Sequence, residues 1–467
     1  MATPGAAADA FERTWCEVDA GEFRLITDHP RQGAEDMVWR LRTFRPVAER
    51  YLPGTPNDDN PPLTVIVFRH VRDFRRAMDG ADMVGFMQPS FTENLMVIGP
   101  DPRAQGEHES LFHEYVHYLL RTRTDINIPT WFDEGLASML SSAAVAADQV
   151  EVGQVPVSTL QRSIRESRLS LAAVLEAEDV WEWHYERRLG FYAWSWVLAH
   201  RLMLGQVAGR PDLRPGLTDF LAERHPSLPE ALDIPAGILD RRLQRYLDRR
   251  LTTVVHEVEA PSTGADGYRC LDETEKVREL SLAIVQHNPD LAARHLRRRL
   301  ESEPDDADLW TALSLAEELA GDRASNLAAA RRALELAPDD VSAAVRLAGA
   351  LATGCILEIS AECRARWQEA VPLLRGSLRR DPTRQDAIFT LGLAYLYSGR
   401  AGDALNYLRI AHHRQPWAPH VNFYLGESYR LIGDARAREH LTRARQWSPT
   451  VLWRTLAEAG LDLLEWE

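Results

Sequence analysis

The feature that most constrains this fold is a rhythm of prolines in the second half of the chain. Pro304, Pro338, Pro382, Pro416 and Pro449 are separated by 34, 44, 34 and 33 residues. A period near 34 fits one pair of antiparallel helices per unit, with the proline ending the second helix. Small residues recur where two such helices must approach. One unit carries Leu391-Gly392, Tyr395, Ala404 and Ala411 before its proline, and the next carries Leu425-Gly426, Tyr429, Ala437 and Ala444. An earlier unit has Trp310, Leu313 and Ala333. A single unit cannot bury its apolar face alone, so residues 273–467 are expected to stack into an all-α array. Residues 273–303 read as an incomplete leading unit and 447–467 as a capping helix. The unit ending at Pro382 is longer by about ten residues around Thr353–Glu362, read as a loop.

The first half has no such repeat. Its apolar runs predict a strand at Phe23–Ile26, a helix over 32–52, a loop over 53–62 and a strand at Leu63–Phe68. A short helix near 71–78 and a hairpin formed by Val84–Pro89 and Asn94–Gly99 follow. Residues of about 20–110 thus form a small α/β lobe. Residues 110–250 read as mainly helical and end in an amphipathic helix near Ile238–Leu247. The boundary is placed at 1–255, with a linker of Pro, Ser and Gly character over 256–272.

Composition bounds the partners. The 467 residues carry a formal charge of −15, which argues against nucleic acid and anionic membranes. Lys276 is the only lysine. No run approaches the ~18 apolar residues of a membrane span. Residues 1–10 lack the basic and apolar regions of a signal peptide. Cys16, Cys270, Cys355 and Cys363 show no C-x-x-C spacing, so reduced thiols and a cytoplasmic location are expected.

The chemistry sits at His113-Glu114-Tyr-Val-His117. Residues i and i+4 share a helix face, so both imidazoles can address one metal ion. Glu114, beside that face, can take a proton from a water. A catalytic zinc wants three protein ligands, and Glu134, on the far side of a turn at 124–129, can supply the third. The bland alternative is a surface helix with two ordinary histidines.

Together with Pro129-Thr-Trp131-Phe132-Asp-Glu134-Gly135-Leu-Ala137, this motif resembles the gluzincins, and most closely the peptidase MA-like group related to the aminopeptidase N clan. The resemblance covers about residues 20–250. It implies an α+β zincin-like metallopeptidase domain, with His113, His117 and Glu134 holding one Zn2+ per chain and Glu114 as general base. It also implies an oxyanion donor at the start of a later helix, a place Tyr192 fits, although its aromatic neighbours also suit core packing. An edge strand along the cleft is implied too, with Gly85, Phe86, Met87 and Gln88 as candidate substrate contacts; an ordinary hairpin is the other reading. The compact Gly-x-Met-Glu-Asn of aminopeptidases is split here, with Gln88–Thr92 between Met87 and Glu93, which speaks against strict aminopeptidase activity. The second half resembles tetratricopeptide (TPR) repeats, implying an all-α TPR solenoid.

The expected function is zinc-dependent hydrolysis of peptide bonds, with the repeats recruiting a protein partner or substrate through a groove that includes Phe389, Leu393, Phe423 and Glu427. The linker is expected to let the two parts be separated. The alternatives are a TPR scaffold with a structural or inactive zinc site, or a zinc hydrolase acting on a non-peptide amide.

Overall fold

In a computed structural model, the described residues are 9–57, 60–81, 83–101, 108–124, 128–154, 157–178, 180, 183–208, 210–248, 251–259, 267–355, 360–448 and 451–466. The organising element of the first half is a six-stranded sheet. Its strands are β1 (Cys16–Asp19), β2 (Phe23–Thr27), β3 (Leu63–Val67), β4 (Gly85–Gln88), β5 (Asn94–Ile98) and β6 (Arg269–Cys270), in the order β6-β1-β2-β3-β5-β4. The three central strands are parallel, and the outer pairings are antiparallel.

Both faces of this sheet are covered, which explains why β3 is apolar without alternation. Leu25, Val65, Val67, Met96 and Ile98 share a core with helix α1 (Arg31–Ala48) and helix α2 (Glu109–Arg121). On the opposite face, Ile26, Ile66, Phe68 and Val97 share a core with Val277, Leu280 and Ile284. Those last three residues belong to the first repeat helix. Helices α3 (Thr130–Ser141) and α4 (Tyr185–Leu204) build the lower part of the first half. Two shorter helices, Val157–Ser167 and Leu171–Leu175, also lie in this part.

The second half is an all-α stack of helix pairs. They are α5 (Glu273–Ile284) with α6 (Pro289–Ser302), α7 (Ala307–Leu319) with α8 (Arg323–Leu336), and α9 (Val341–Ala352) with α10 (Ala361–Arg380). Next come α11 (Gln385–Tyr397) with α12 (Ala401–Arg414), and α13 (Pro419–Leu431) with α14 (Arg436–Gln446), closed by α15 (Val451–Trp466). The leading unit is therefore a complete pair. The glycines of the repeat pattern are where partner helices touch. A β-carbon on Gly392 would stand 2.8 Å from the Leu408 side chain, and one on Gly426 2.8 Å from Leu441. The extra residues of the long unit are only partly a loop. They extend α10 to 20 residues, and Cys355 is joined to Cys363. Residues 356–359 and Pro449 lie outside the described residues.

Two expectations are corrected here. The cysteines are not free: Cys16 pairs with Cys270, and Cys355 with Cys363. The first bond spans 254 positions and exists because β6 returns to the sheet beside β1, placing Cys270 opposite Cys16. Spacing in the sequence carries no trace of that. Disulfides persist in oxidising compartments, so the cysteines no longer argue for the cytoplasm. The stretch 256–272 is also not simply a connector. Val254–Glu257 pairs antiparallel with Gln149–Val152, and β6 closes one edge of the main sheet; residues 260–266 lie outside the described residues. No helix among the described residues is long and apolar enough to cross a membrane.

The repeats grip the first half at both ends. Near their start, Arg24 pairs with Glu279 at 3.0 Å. Near their end, Trp447 donates to Glu223 at 2.8 Å, and Arg454 pairs with Glu178 at 3.0 Å.

Candidate metal centre

Helix α2 is pinned by its apolar face. Leu111, Phe112, Tyr115, Val116 and Leu120 are buried, and Phe112 stacks on Phe44 of α1 at 4.4 Å. That leaves His113 and His117 on the side turned to α3, with Glu114 next to them against Gly85. Trp131, Phe132 and Leu136 fix α3 in the same core and aim Glu134 back at the histidines. Of the turn expected between the two helices, residues 125–127 lie outside the described residues.

The three ligand candidates come together. The Nε2 atoms of His113 and His117 are 3.1 Å apart, and Glu134 Oε2 lies 3.3 Å from the first and 3.6 Å from the second. One ligand atom from each lies within 4.8 Å of the other two. Glu134 Oε2 is buried and has no hydrogen bond of proper geometry, despite those short approaches. Two imidazole nitrogens and a buried carboxylate oxygen left without a hydrogen bond, converging on one point, fit a zinc donor set.

A supporting pair was missed in the sequence. His117 Nδ1 shares a 2.6 Å hydrogen bond with Asp133, and Asp133 accepts a second, also 2.6 Å, from Arg121. This fixes the ring so that Nε2 faces Glu134. Arg121 lies one helical turn after His117, and Asp133 directly precedes Glu134, so helix geometry could have found them.

Charges follow this packing. Burial pushes the Glu134 carboxyl up, but His117 and His113 outweigh it and hold it down at about 2. Asp133 is likewise held low, burial being overcome by Arg121 and His117. Burial lowers His117, yet Asp133 and Glu134 raise it well above an ordinary histidine. Glu114 moves the other way: burial raises it against the pull of His117 and His113, as suits a proton acceptor.

The remaining candidates sort by position. Tyr192 lies inside α4, two turns from its start, and not at a helix start. Burial raises its hydroxyl, and the Glu134 and Glu114 charges raise it further; its ring also packs against the core and meets Phe191 at 5.8 Å. Strand β4 is the sheet edge beside Glu114: a β-carbon on Gly85 would stand 3.0 Å from Glu114 Cγ. Met87 packs into the inner core, while Phe86 meets the His287 ring at 4.6 Å. Gln88 Oε1 is buried without a partner. Glu93, where aminopeptidases need their acid, sits at the other end of β5 and accepts from Thr64 and Arg24.

The groove residues are not open. Phe389 meets the Phe91 ring at 4.8 Å, and Phe423 meets Trp453 of the capping helix at 5.7 Å. Leu393 is buried, and Glu427 pairs with Arg430 at 2.9 Å.

No family model matches the chain, and no curated protein matches it. Among solved structures, it is similar to a thermophilic TPR protein in Thermus thermophilus, at 19% identity and a TM-score of 0.35, over 40% of this chain and 97% of that one. It is also similar to MamA 41-end from Desulfovibrio magneticus, at 21% identity and a TM-score of 0.30, over 37% and 94%. A third is YrrB, a TPR protein with an unusual peptide-binding site, at 14% identity and a TM-score of 0.30, over 39% and 91%.

Proposed function

We propose that the chain is a zinc-dependent hydrolase of peptide bonds embedded in a TPR-type protein. The observation that carries this reading is the convergence of His113, His117 and Glu134 beside a free-standing carboxylate, Glu114. A zinc ion held there would acidify a water and polarise a carbonyl. Glu114 would accept the proton from that water and return it to the leaving amine. The Tyr192 hydroxyl would donate to the developing oxyanion. Strand β4 is a sheet edge, the position at which an extended peptide would be added through backbone hydrogen bonds. Strict aminopeptidase chemistry fits poorly, because Glu93 is engaged elsewhere.

The test is a peptide library with metal content measured in parallel. Glu114→Gln should keep one zinc per chain and lose hydrolysis by orders of magnitude. Tyr192→Phe should also keep zinc and lose about 3 kcal/mol of transition-state stabilisation, roughly a hundredfold in rate. Cleavage by Glu114→Gln at the parental rate refutes the assignment.

A second reading has its own support. The helical repeats make up the whole second half, and such arrays bind proteins, so the chain could serve as a scaffold with an inactive zinc site. Zinc binding without turnover of any peptide or other amide in the library would favour it.

A further inference from the structure

The turn between β4 and β5 is exposed at Pro89 and Thr92 but half-buried at Ser90 and Phe91. It enters the inner side of the repeats. Phe91 meets Phe389 of α11 at 4.8 Å and His420 of α13 at 6.0 Å. Ala411, Ala418, Val421 and Trp417 complete the apolar cluster. Beside it, the side chain of Gln415, itself buried, donates to the Ser90 carbonyl at 3.0 Å.

This is how a peptide site is built. One side chain reads a backbone carbonyl, whatever residue carries it, and an adjacent pocket reads one aromatic ring. The ligand is shaped in advance. Ser90 Oγ donates to the Glu93 carbonyl at 2.5 Å and accepts from the amides of Thr92 and Glu93 at 3.2 and 3.0 Å. A turn locked from within presents Phe91 with little entropy left to lose.

We propose that the inner face of the repeats is a binding site whose resident ligand is this chain's own turn, Ser90-Phe91-Thr92, and that its occupancy sets the position of β4. The path is short. Gln88 pairs with Leu95 next to the turn, and Gly85 pairs with Ile98 at the other end, against Glu114. β4 is an edge strand held by β5 on one side only, so the repeats supply its second anchor. An external partner for this surface would carry an aromatic residue on a similar tight turn, and would bind by displacing Phe91. The inference rests on the proposed function only for what β4 does with substrate.

Amide hydrogen exchange on the full chain tests it without relying on activity. In Phe91→Ala, exchange at Gly85–Gln88 should rise at least tenfold, while β2 and β3 stay as protected as in the parent. Phe389→Ala, made from the repeat side, should reproduce this. Unchanged exchange at Gly85–Gln88 in both variants overturns the proposal, as does equal loosening of all strands. Absence of peptide cleavage by the parent would count against the hydrolase reading alone, because the exchange comparison still decides this one.

Discussion

A β-carbon on Gly135 would stand 2.3 Å from the carbonyl oxygen of Ser195. That contact is where α3 meets α4, one residue after Glu134 and three residues after Tyr192. The absent side chain brings the helix bearing the third ligand against the helix bearing the proposed oxyanion donor. Gly135→Ala should therefore separate them. We expect a loss of about 1–3 kcal/mol in unfolding free energy, because backbone cannot yield as a side chain can. Weaker zinc retention should accompany it. Denaturant unfolding and zinc titration of the variant check both, and parental values in each would show that the helices can slide apart freely.

The pair behind His117 gives a second expectation. Asp133→Asn keeps the shape but removes the charge that Arg121 and His117 share. Zinc affinity should fall about 10–100-fold, the usual effect of disturbing a ligand's hydrogen-bond partner. Competition with a chelator measures this directly. Equal affinity in variant and parent would mean that the ring is held by packing.

Acid sensitivity follows from buried histidines away from the centre. Burial lowers His200 to about 4, where its ring bonds the Tyr246 hydroxyl at 2.6 Å and the Thr252 carbonyl at 3.1 Å. Burial lowers His440 in the repeats to about 3. The unfolded chain takes up these protons first, at an ordinary histidine pKa of about 6.5. Their contribution is thus complete above about pH 6.5 and drains away as pH falls toward 4 and, for His440, toward 3. For His200 alone this amounts to about 3 kcal/mol. Unfolding free energies measured between pH 7 and 4.5 should fall steadily, and His200→Gln should flatten part of that slope. A stability independent of pH across this window would contradict the burial of these rings.

Truncation should fail. The sequence suggests that residues 1–260 could work alone, but Ile26, Ile66 and Val97 share a core with Val277, Leu280 and Ile284 of the first repeat helix. Exposing each forfeits about 1.5–3 kcal/mol, which together rivals the whole stability of a domain. Expressed alone, the fragment should lack a cooperative thermal transition by circular dichroism. A sharp transition with bound zinc would restore the idea of separable parts.

Local and periodic features were legible, and long-range returns were not. The motif helix, the strands at Phe23 and Leu63, and the hairpin at Gly85 and Asn94 follow from spacing and residue type within a few neighbours. So do the repeat helices, because each stacks on the next in sequence. The strand at Cys16–Asp19 escaped notice because it is four residues long with a charged outer side. The return of Arg269–Cys270 to the sheet and the seating of Phe91 on Phe389 join residues about 250 and 300 positions apart. Such contacts depend on how whole layers stack, and no window of residues encodes that stacking. The centre divides in the same way. His113, Glu114 and His117 share one helix turn, whereas the helix carrying Tyr192 meets the helix carrying Glu134 only because Gly135 admits it.

The bond between Cys16 and Cys270 makes a closed loop of nearly everything that forms the candidate centre. Backbone cleavage anywhere between those two residues would open the loop without releasing a fragment. A nicked molecule would run at full mass on a gel without reductant and as two pieces with it. For a chain proposed to cut peptides, a cut in itself could then leave a molecule whose ligands, cleft strand and repeats stay tethered through one covalent link.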